Sequence, residues 1–366
     1  MPIQTAIDSI SNSQGSPFGF KNRIINGAMV IDQRNAGASV SGNEYIFVVD
    51  RWKIRASQTS KMTGQQNAGS VTPPVGFINY LGITSSSAYS VTSSDYFWLA
   101  QLIEGFNTAD LNWGSANAKT VTLSFWVRSS LTGAFGGCLR DGNGGTAQYP
   151  FSYTISSANT WEQKSITVVG PSIGTWQTGN SASIELLFSL GMGSNFTGTA
   201  NIWTASSVFA PTGSTSVVGT NGATFYITGV QLEKGTQATA FDYRDYGREL
   251  QLCQRYCPAW SSPAASYNFP FAGQAYLTTA AAFIGSYPVQ PRTAATGITT
   301  SGTFIASTSG YGTTSAGTLA LYGGGTSLYS IGFLLTGLSG LVAGNATGLL
   351  AGASVPAVII ATGCEL

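Results

Sequence analysis

The sequence predicts an all-β protein: an antiparallel jelly-roll sandwich, a short linking helix, and then a C-terminal β-sandwich-like domain. Three observations carry this. Segments with two-residue alternation are separated by Gly/Ser/Thr/Asn turns, one short segment repeats at helical spacing, and charge almost vanishes beyond it. Spacing between the strand-like segments is uneven. A propeller or β-helix would repeat at a fixed period, so the jelly roll is favoured.

Residues 1–20 are polar and rich in Ser, Asn and Gln, without the apolar core of a secretory signal, and read as a separate N-terminal segment. The jelly roll is expected over 21–242. It opens with a first strand at Asn22–Arg34, and further strands are expected at Tyr45–Ile54, Phe97–Phe106, Thr120–Arg128, Ser165–Val169, Ala182–Leu190 and Thr224–Leu232. In TVTLSFWVR, Val121, Leu123, Phe125 and Val127 face one way, and Thr122, Ser124, Trp126 and Arg128 the other. In ASIELLFSL, Ile184, Leu186 and Phe188 alternate with Glu185, Leu187 and Ser189. Long polar loops are expected at Ser57–Thr72 and Gly191–Thr199.

The linking helix is expected over 243–258. Tyr246, Leu250 and Cys253 recur at i, i+4, i+7 with Leu252 and Tyr256 alongside, and Pro258 stops the run. Residues 259–366 form the C-terminal β tip. From Cys257 to Leu366 only Arg292 and Glu365 are charged. A monomeric domain of this size ordinarily carries a charged surface. Neutral Ser/Thr/Asn faces and burial against copies of itself are both expected here. The apolar stretch Ile331–Ile360 is interrupted by Gly, Thr, Ser, Asn345 and Pro356, which reads as buried strands and not as a membrane span.

Composition excludes several functions. There is no histidine, so neither a Ser-His-Asp nor a Cys-His pair can form. Charged residues make up 8% of the chain and the net charge is +1, which gives no electrostatic reason for a nucleic-acid or acidic-membrane partner. Cys138, Cys253, Cys257 and Cys364 are scattered without a CxxC pair, so buried reduced thiols are expected, not a zinc site or a disulfide framework.

An ordered set of motifs goes further: NRIINGAMVIDQR from Asn22 to Arg34, VVDRW from Val48 to Trp52, FYITGVQLEKG from Phe225 to Gly235, ATAFDYR from Ala238 to Arg244, and ELQLCQRY from Glu249 to Tyr256. The set resembles a family of tailed-bacteriophage fibre and other virion appendage proteins whose shared region looks like a carbohydrate-binding-module jelly roll. The resemblance covers residues 20–260, and extends more weakly through SYPVQPR (Ser286–Arg292) and the closing Gly363–Leu366. It implies a virion protein assembled in the host cytoplasm. The N-terminal segment would attach to other virion proteins, the chain would be a homotrimer, and the tip would bind a host cell-surface glycan or other receptor. A capsid-associated head fibre or cement protein is the alternative, and a polysaccharide depolymerase a weaker one. Related sugar-binding jelly rolls often hold calcium through an acidic residue after the first Asn-Gly and an Asp in the last strand. Here Ala28, Met29 and Val30, and Thr228-Gly229, stand at those places, with Asp32 and Glu233 as the nearest substitutes.

No catalytic, cofactor or metal residues are assigned, and no nucleic acid or membrane insertion is expected. Glycoside hydrolysis needs two carboxylates facing one cleft. Glu104, Glu185, Asp110 and Asp141 are the candidates, the last two near Trp113 and Tyr149, yet no motif joins any two. Trp52, Trp126 and Trp161 would pack the sandwich or form a surface platform. In the tip, Trp260, Tyr267, Tyr276, Tyr287, Tyr311, Tyr322 and Tyr329 supply rings suited to a neutral glycan, with no specific ligand-binding residue marked out.

Overall fold

The computed structural model describes residues 20–42, 44–262, 268–308, 315–352 and 356–366. The N-terminal segment 1–20 therefore lies, apart from Phe20, outside the described residues, as do Tyr267 and Tyr311. The chain divides into two compact units, one comprising the chain up to Tyr246 together with Leu366 and one running from Gly247 to Glu365.

The first unit opens with β1 (Val40–Ser41), β2 (Ile46–Val49), β3 (Trp52–Ala56), β4 (Met62–Gln66), β5 (Leu81–Ser85), β6 (Tyr96–Glu104) and β7 (Val121–Ser129). It continues with β8 (Gly133–Asp141), β9 (Gln148–Ile155), β10 (Glu162–Val168), β11 (Ala182–Met192), β12 (Thr197–Gly198), β13 (Ala210–Pro211) and β14 (Thr224–Lys234). Two six-stranded antiparallel sheets result, in the orders β1-β4-β5-β14-β7-β10 and β2-β3-β6-β11-β8-β9. Their inner faces share one core that includes Trp52, Leu99, Phe125, Phe188 and Phe225. This is the expected jelly roll. In β7, Val121, Leu123, Phe125 and Val127 enter the core, while Trp126 and Arg128 stay half-buried on the other face.

Five local readings change. Tyr45–Ile54 is a hairpin of β2 and β3, because Arg51 adopts a positive φ of 72° and reverses the chain. Ser57–Thr72 contains β4, whose Met62 and Gly64 are buried. Asn22–Arg34 forms no strand; side chains fix it instead. The Asn22 amide donates to the Val230 carbonyl (3.1 Å), and Asn22 Oδ1 accepts from the N–H groups of Ile24 and Leu232. The expected loop Gly191–Thr199 holds the end of β11, a 3-10 turn at Ser194–Phe196 and β12. In β11, Ile184, Leu186 and Phe188 alternate with Leu187 as expected, but Leu187 and Ser189 are buried too. β12 and β13 form a small parallel pair, and nearby Phe209 packs over a second apolar cluster of Trp98, Ala100, Cys138 and Leu187 on the outer face of the second sheet.

The second unit contains α1 (Tyr246–Gln254, begun at the last residue of the first unit), β15 (Ala259–Ser262), β16 (Asn268–Leu277), β17 (Ala280–Ser286), β18 (Gly297–Ser301) and β19 (Phe304–Thr308). β20 (Thr318–Leu321), β21 (Ser330–Thr336), β22 (Ala346–Ala351) and β23 (Ala357–Thr362) complete it. A three-stranded sheet β15-β23-β18 and a six-stranded sheet β19-β22-β16-β17-β21-β20, both antiparallel, enclose a core with Trp260, Phe271, Phe283, Phe333 and Ile359. The helix is shorter than expected and its buried residues are Glu249 and Cys253, whereas Tyr246 is exposed. All four cysteines are buried thiols.

One buried carboxylate makes stability depend on pH. Asp95 accepts from Ser57 Oγ (2.7 Å), Gln58 Nε2 (3.0 Å), Tyr89 Oη (2.8 Å), and the Thr92 N–H and hydroxyl (2.9 and 2.7 Å). Burial alone would raise its pKa. The donors from Ser57, Thr92 and Gln58 win and hold it well below the usual carboxylate range. The folded value lies below the unfolded one, so this stabilisation is complete above about pH 4 and is lost as acid protonates the group. Asp95→Ala is expected to lower Tm by about 5 °C at pH 7 and to flatten the acid limb of the Tm-against-pH curve. Calorimetry showing parallel curves for parent and variant would refute this.

Candidate functional site

At one end of the jelly roll two loops meet, 105–120 between β6 and β7 and 169–181 between β10 and β11. Backbone bonds staple them: Gly105 N–H to Ser181 O (2.9 Å), Phe106 N–H to Gly179 O (2.8 Å) and Gly114 N–H to Pro171 O (2.8 Å). Two 3-10 turns, Gly105–Asn107 and Ala109–Leu111, shape the first loop, and Asn112 in the left-handed region (φ 52°) ends the second turn. Between the loops lies a pocket of about 200 Å³, lined by Thr108, Asn112, Trp113, Trp176, Gln177 and Thr178, with Ala109, Ser115, Ser183 and Ile184 completing it.

Its aromatic wall is rigid. Trp113 and Trp176 pack edge to face at 4.7 Å, and Trp203 meets them at 5.5 and 5.9 Å. Each indole N–H donates to a backbone carbonyl: Trp113 to Lys119, Trp176 to Ile173 and Trp203 to Val169. The rings are thereby fixed before any ligand arrives, which spares the entropic cost of ordering them. No charged side chain lines the pocket. Asp110, on the same turn, is engaged elsewhere, since Arg23 grips it at 2.8 and 2.9 Å and Lys234 at 3.1 Å. Burial works against its charge, but these two cations hold the carboxyl below the usual range.

The other candidate carboxylates do not share a cleft. Glu185 is clamped by Arg140 on the outer face of the second sheet. Asp141, opposite Ile184, belongs to the inner side of the same sheet, where burial raises its pKa and the Asn143 N–H caps it. Glu104 is buried beside Ala182 in the β6–β11 pairing. Alternation thus sends Asp141 and Glu185 through opposite faces.

The calcium substitutes are also committed. Asp32 accepts from the N–H groups of Asn35 (3.0 Å) and Gly37 (2.7 Å), and Glu233 from Gln231, the Thr239 N–H and the Thr239 hydroxyl. Among the described residues no group of three or more Cys, Asp or Glu side chains is placed to hold a metal ion. No described helix is long and apolar enough to cross a membrane.

Of the aromatics singled out in the sequence, Trp52 is core, and Trp161 packs on Tyr80 while donating to Thr72 O. Trp260 and Tyr287 are core of the second unit. Tyr276, Tyr322 and Tyr329 are exposed, at 60, 36 and 75%, but not together. Tyr276 lies at the β16–β17 turn, whereas Tyr322 and Tyr329 flank the β20–β21 turn. The pairings Ala280–Thr336 and Ser286–Ser330 put those turns at opposite ends of the sheet. On the jelly roll, the rings of Tyr45, Tyr96 and Trp98 are covered by the Arg55 guanidinium at 4.7, 5.1 and 5.4 Å.

Trp176, Asn112, Gln177 and Thr178 escaped the sequence reading, and Trp113 entered it only as a neighbour of Asp110. A signal did exist. NWGS, TWQT and NIWT each set a tryptophan among small polar loop residues, where no strand pattern accounts for its burial.

No protein-family model and no curated protein sequence matches the chain. Among solved structures, the chain is similar to the enzymatically active domain of tailspike protein 4 of Bacteriophage CBA120 (14% identity, TM-score 0.31, 58% of this chain and 21% of that one). It is also similar to a family 11 carbohydrate-binding module from Clostridium thermocellum (14% identity, TM-score 0.27, 56% of this chain and 100% of that one). A third is a xylan-binding domain from Paenibacillus barcinonensis (13% identity, TM-score 0.25, 56% and 99%). The chain spans about a fifth of the tailspike domain and essentially all of the two modules.

Proposed function

We propose that this is a non-enzymatic, glycan-binding virion protein, a homotrimeric tail fibre or spike attached to the particle through residues 1–20. The pocket between loops 105–120 and 169–181, with Trp113 and Trp176 on its lining, is the observation that carries the glycan reading. The half-buried indole of Trp176, held against the buried Trp113, offers apolar surface to a pyranose ring, while Asn112, Gln177, Thr178 and Thr108 offer amides and hydroxyls for its hydroxyl groups. Its volume, about 200 Å³, suits a single sugar ring and falls below the roughly 300 Å³ at which drug-sized sites begin. The jelly roll thus supports receptor binding better than the dispersed tip tyrosines do. The virion assignment rests on the ordered motifs from Asn22 to Tyr256.

One such site is weak, with a Kd near 1 mM, on the order of −4 kcal/mol, and repetition on a particle would supply the avidity. Calorimetric titration of the full chain with neutral hexose and N-acetylhexosamine oligosaccharides is expected to give millimolar binding, nearly unchanged by salt because no lining side chain is charged. Trp176→Ala should weaken it about tenfold, or roughly 1.4 kcal/mol, in a chain that far-UV circular dichroism shows is still folded at the titration temperature. Absence of binding across the panel, or binding equal in parent and variant, would overturn the glycan reading. Immunogold labelling of virions tests the other half, and label confined to the capsid would favour the shell-reinforcing alternative.

A further inference from the structure

In the second unit, the six-stranded sheet has one face packed on the core and one face open. Phe271, Phe283, Phe333, Leu335 and Leu349 point inward. The residues between them face outward, in rungs set by the register. Ser307, Gly348, Ala272, Ile284 and Gly332 form one rung, and Ala346, Gln274, Ala282, Leu334 and Ala320 the next. An antiparallel sheet that meets water on one side normally alternates apolar-in with polar-out. This one does not. Its outward rungs carry mostly alanine, glycine, leucine and isoleucine, with Gln274 and Ser307 as the polar members; Gly332 is buried beside Gly325, Ile284 is 51% exposed, and no residue of any of the six strands is charged.

We propose that this open face is the surface through which copies of the chain assemble, an inference that rests on the self-association reading above and names its interface. Two features select a second copy as the occupant. The first is charge. A face without charge meets its own copy with no charge left buried and unpaired on either side, and beyond Arg255 the chain carries only Arg292 and Glu365, with Arg292 tied to the carbonyls of Cys364 and Glu365. The second is shape and size. Alanine and glycine flatten the face so that sheets can approach closely. Six strands about 4.8 Å apart and roughly six residues long give a footprint on the order of 500 Å², which side-chain relief brings toward the ~800 Å² per partner of a standard interface. Three such faces turned inward close a triangular prism, and their burial needs no salt bridge.

The test uses the full chain. Light scattering of the parent is expected to give three times 38.0 kDa. Ala282→Glu and Ile284→Glu, each setting a carboxylate on the face, should bring the mass to 38.0 kDa with the jelly roll still folded. Thr299→Glu, on the exposed β18 of the other sheet, should stay assembled. Ala272→Cys keeps the face nearly unchanged and adds an exposed thiol to a chain whose own four are buried. A short bis-maleimide should link it between chains, and should leave Thr299→Cys unlinked. Face variants that remain assembled, or an unlinked Ala272→Cys in an assembled protein, would overturn the face while leaving self-association standing. A monomeric parent would overturn both.

Discussion

Asn26→Ala is expected to cost the jelly roll about 4 kcal/mol, among the largest effects of any single substitution in the chain. The Asn26 side chain is fully buried and acts as a three-way clasp. Its amide donates to Ile31 O (2.8 Å) and Asp50 O (2.9 Å), and its Oδ1 accepts from the Ile31 N–H (3.0 Å). Alanine strands those three backbone groups away from water, at about 1–3 kcal/mol for each buried group left unpaired. It must also hold φ at 58°, a left-handed conformation that asparagine tolerates and alanine resists by about 1 kcal/mol. The clasp sets the Asn26 carbonyl to receive the Trp52 indole N–H at 3.0 Å, so its loss reaches the core directly. Gly27→Ala should act similarly for a different reason, because a Cβ there would lie 2.2 Å from the Val230 carbonyl oxygen, which is backbone and cannot swing aside. Urea unfolding followed by tryptophan fluorescence measures both. A loss below about 1 kcal/mol for Asn26→Ala would show that the segment is not a structural clasp.

The same clasp shows where sequence reading succeeds and where it stops. Asn26-Gly27 marked a turn needing positive φ, and the structure has one. The strand drawn through it was wrong, because Asn22 and Asn26 pair with backbone groups on β14 and around Asp50 that lie about 200 and 24 positions away. β7 was legible because one of its faces packs on the core with apolar residues alone, while the other carries Thr122, Ser124, Trp126 and Arg128, the last two half-buried, so the two-residue period survives in the residue types. β11 was legible only in part. Leu187 broke the pattern, and the segment that covers it arrives from Phe209, more than twenty residues on. The β2–β3 reversal gave no warning, since Asp50-Arg51 lacks the usual glycine or asparagine. Buried Asp50, which accepts from Gln33 N–H and Nε2, supports the positive φ next to it. The candidate pocket was hidden for a simpler reason. Trp113 and Trp176 lie sixty-three positions apart, and their loops meet through the pairings of β6 with β11 and of β7 with β10.

Glu185→Ala is expected to destabilise the jelly roll by about 3 kcal/mol, and this outcome separates a structural carboxylate from a catalytic one. Arg140 donates to Glu185 through Nε (2.6 Å) and a terminal nitrogen (2.5 Å), with the two side chains 18% and 4% exposed. The guanidinium also lies 4.7 Å from the Phe209 ring centre. Removing the carboxylate leaves a cation beneath an aromatic lid with no acceptor, and that uncompensated charge supplies most of the cost. Removing both charges should cost much less, so Arg140→Met with Glu185→Leu is expected to recover most of the loss, since apolar side chains of similar volume suit the neighbouring Leu187, Cys138 and Phe209. A catalytic Glu185 predicts the opposite pattern. Its Gln variant would keep the parent stability and lose an activity, and the apolar pair would be no better folded than the single variant. Chemical denaturation of the three variants decides between the two. A Glu185→Ala loss under about 1 kcal/mol, or a double variant no more stable than the single one, would reopen the case for chemistry on this face.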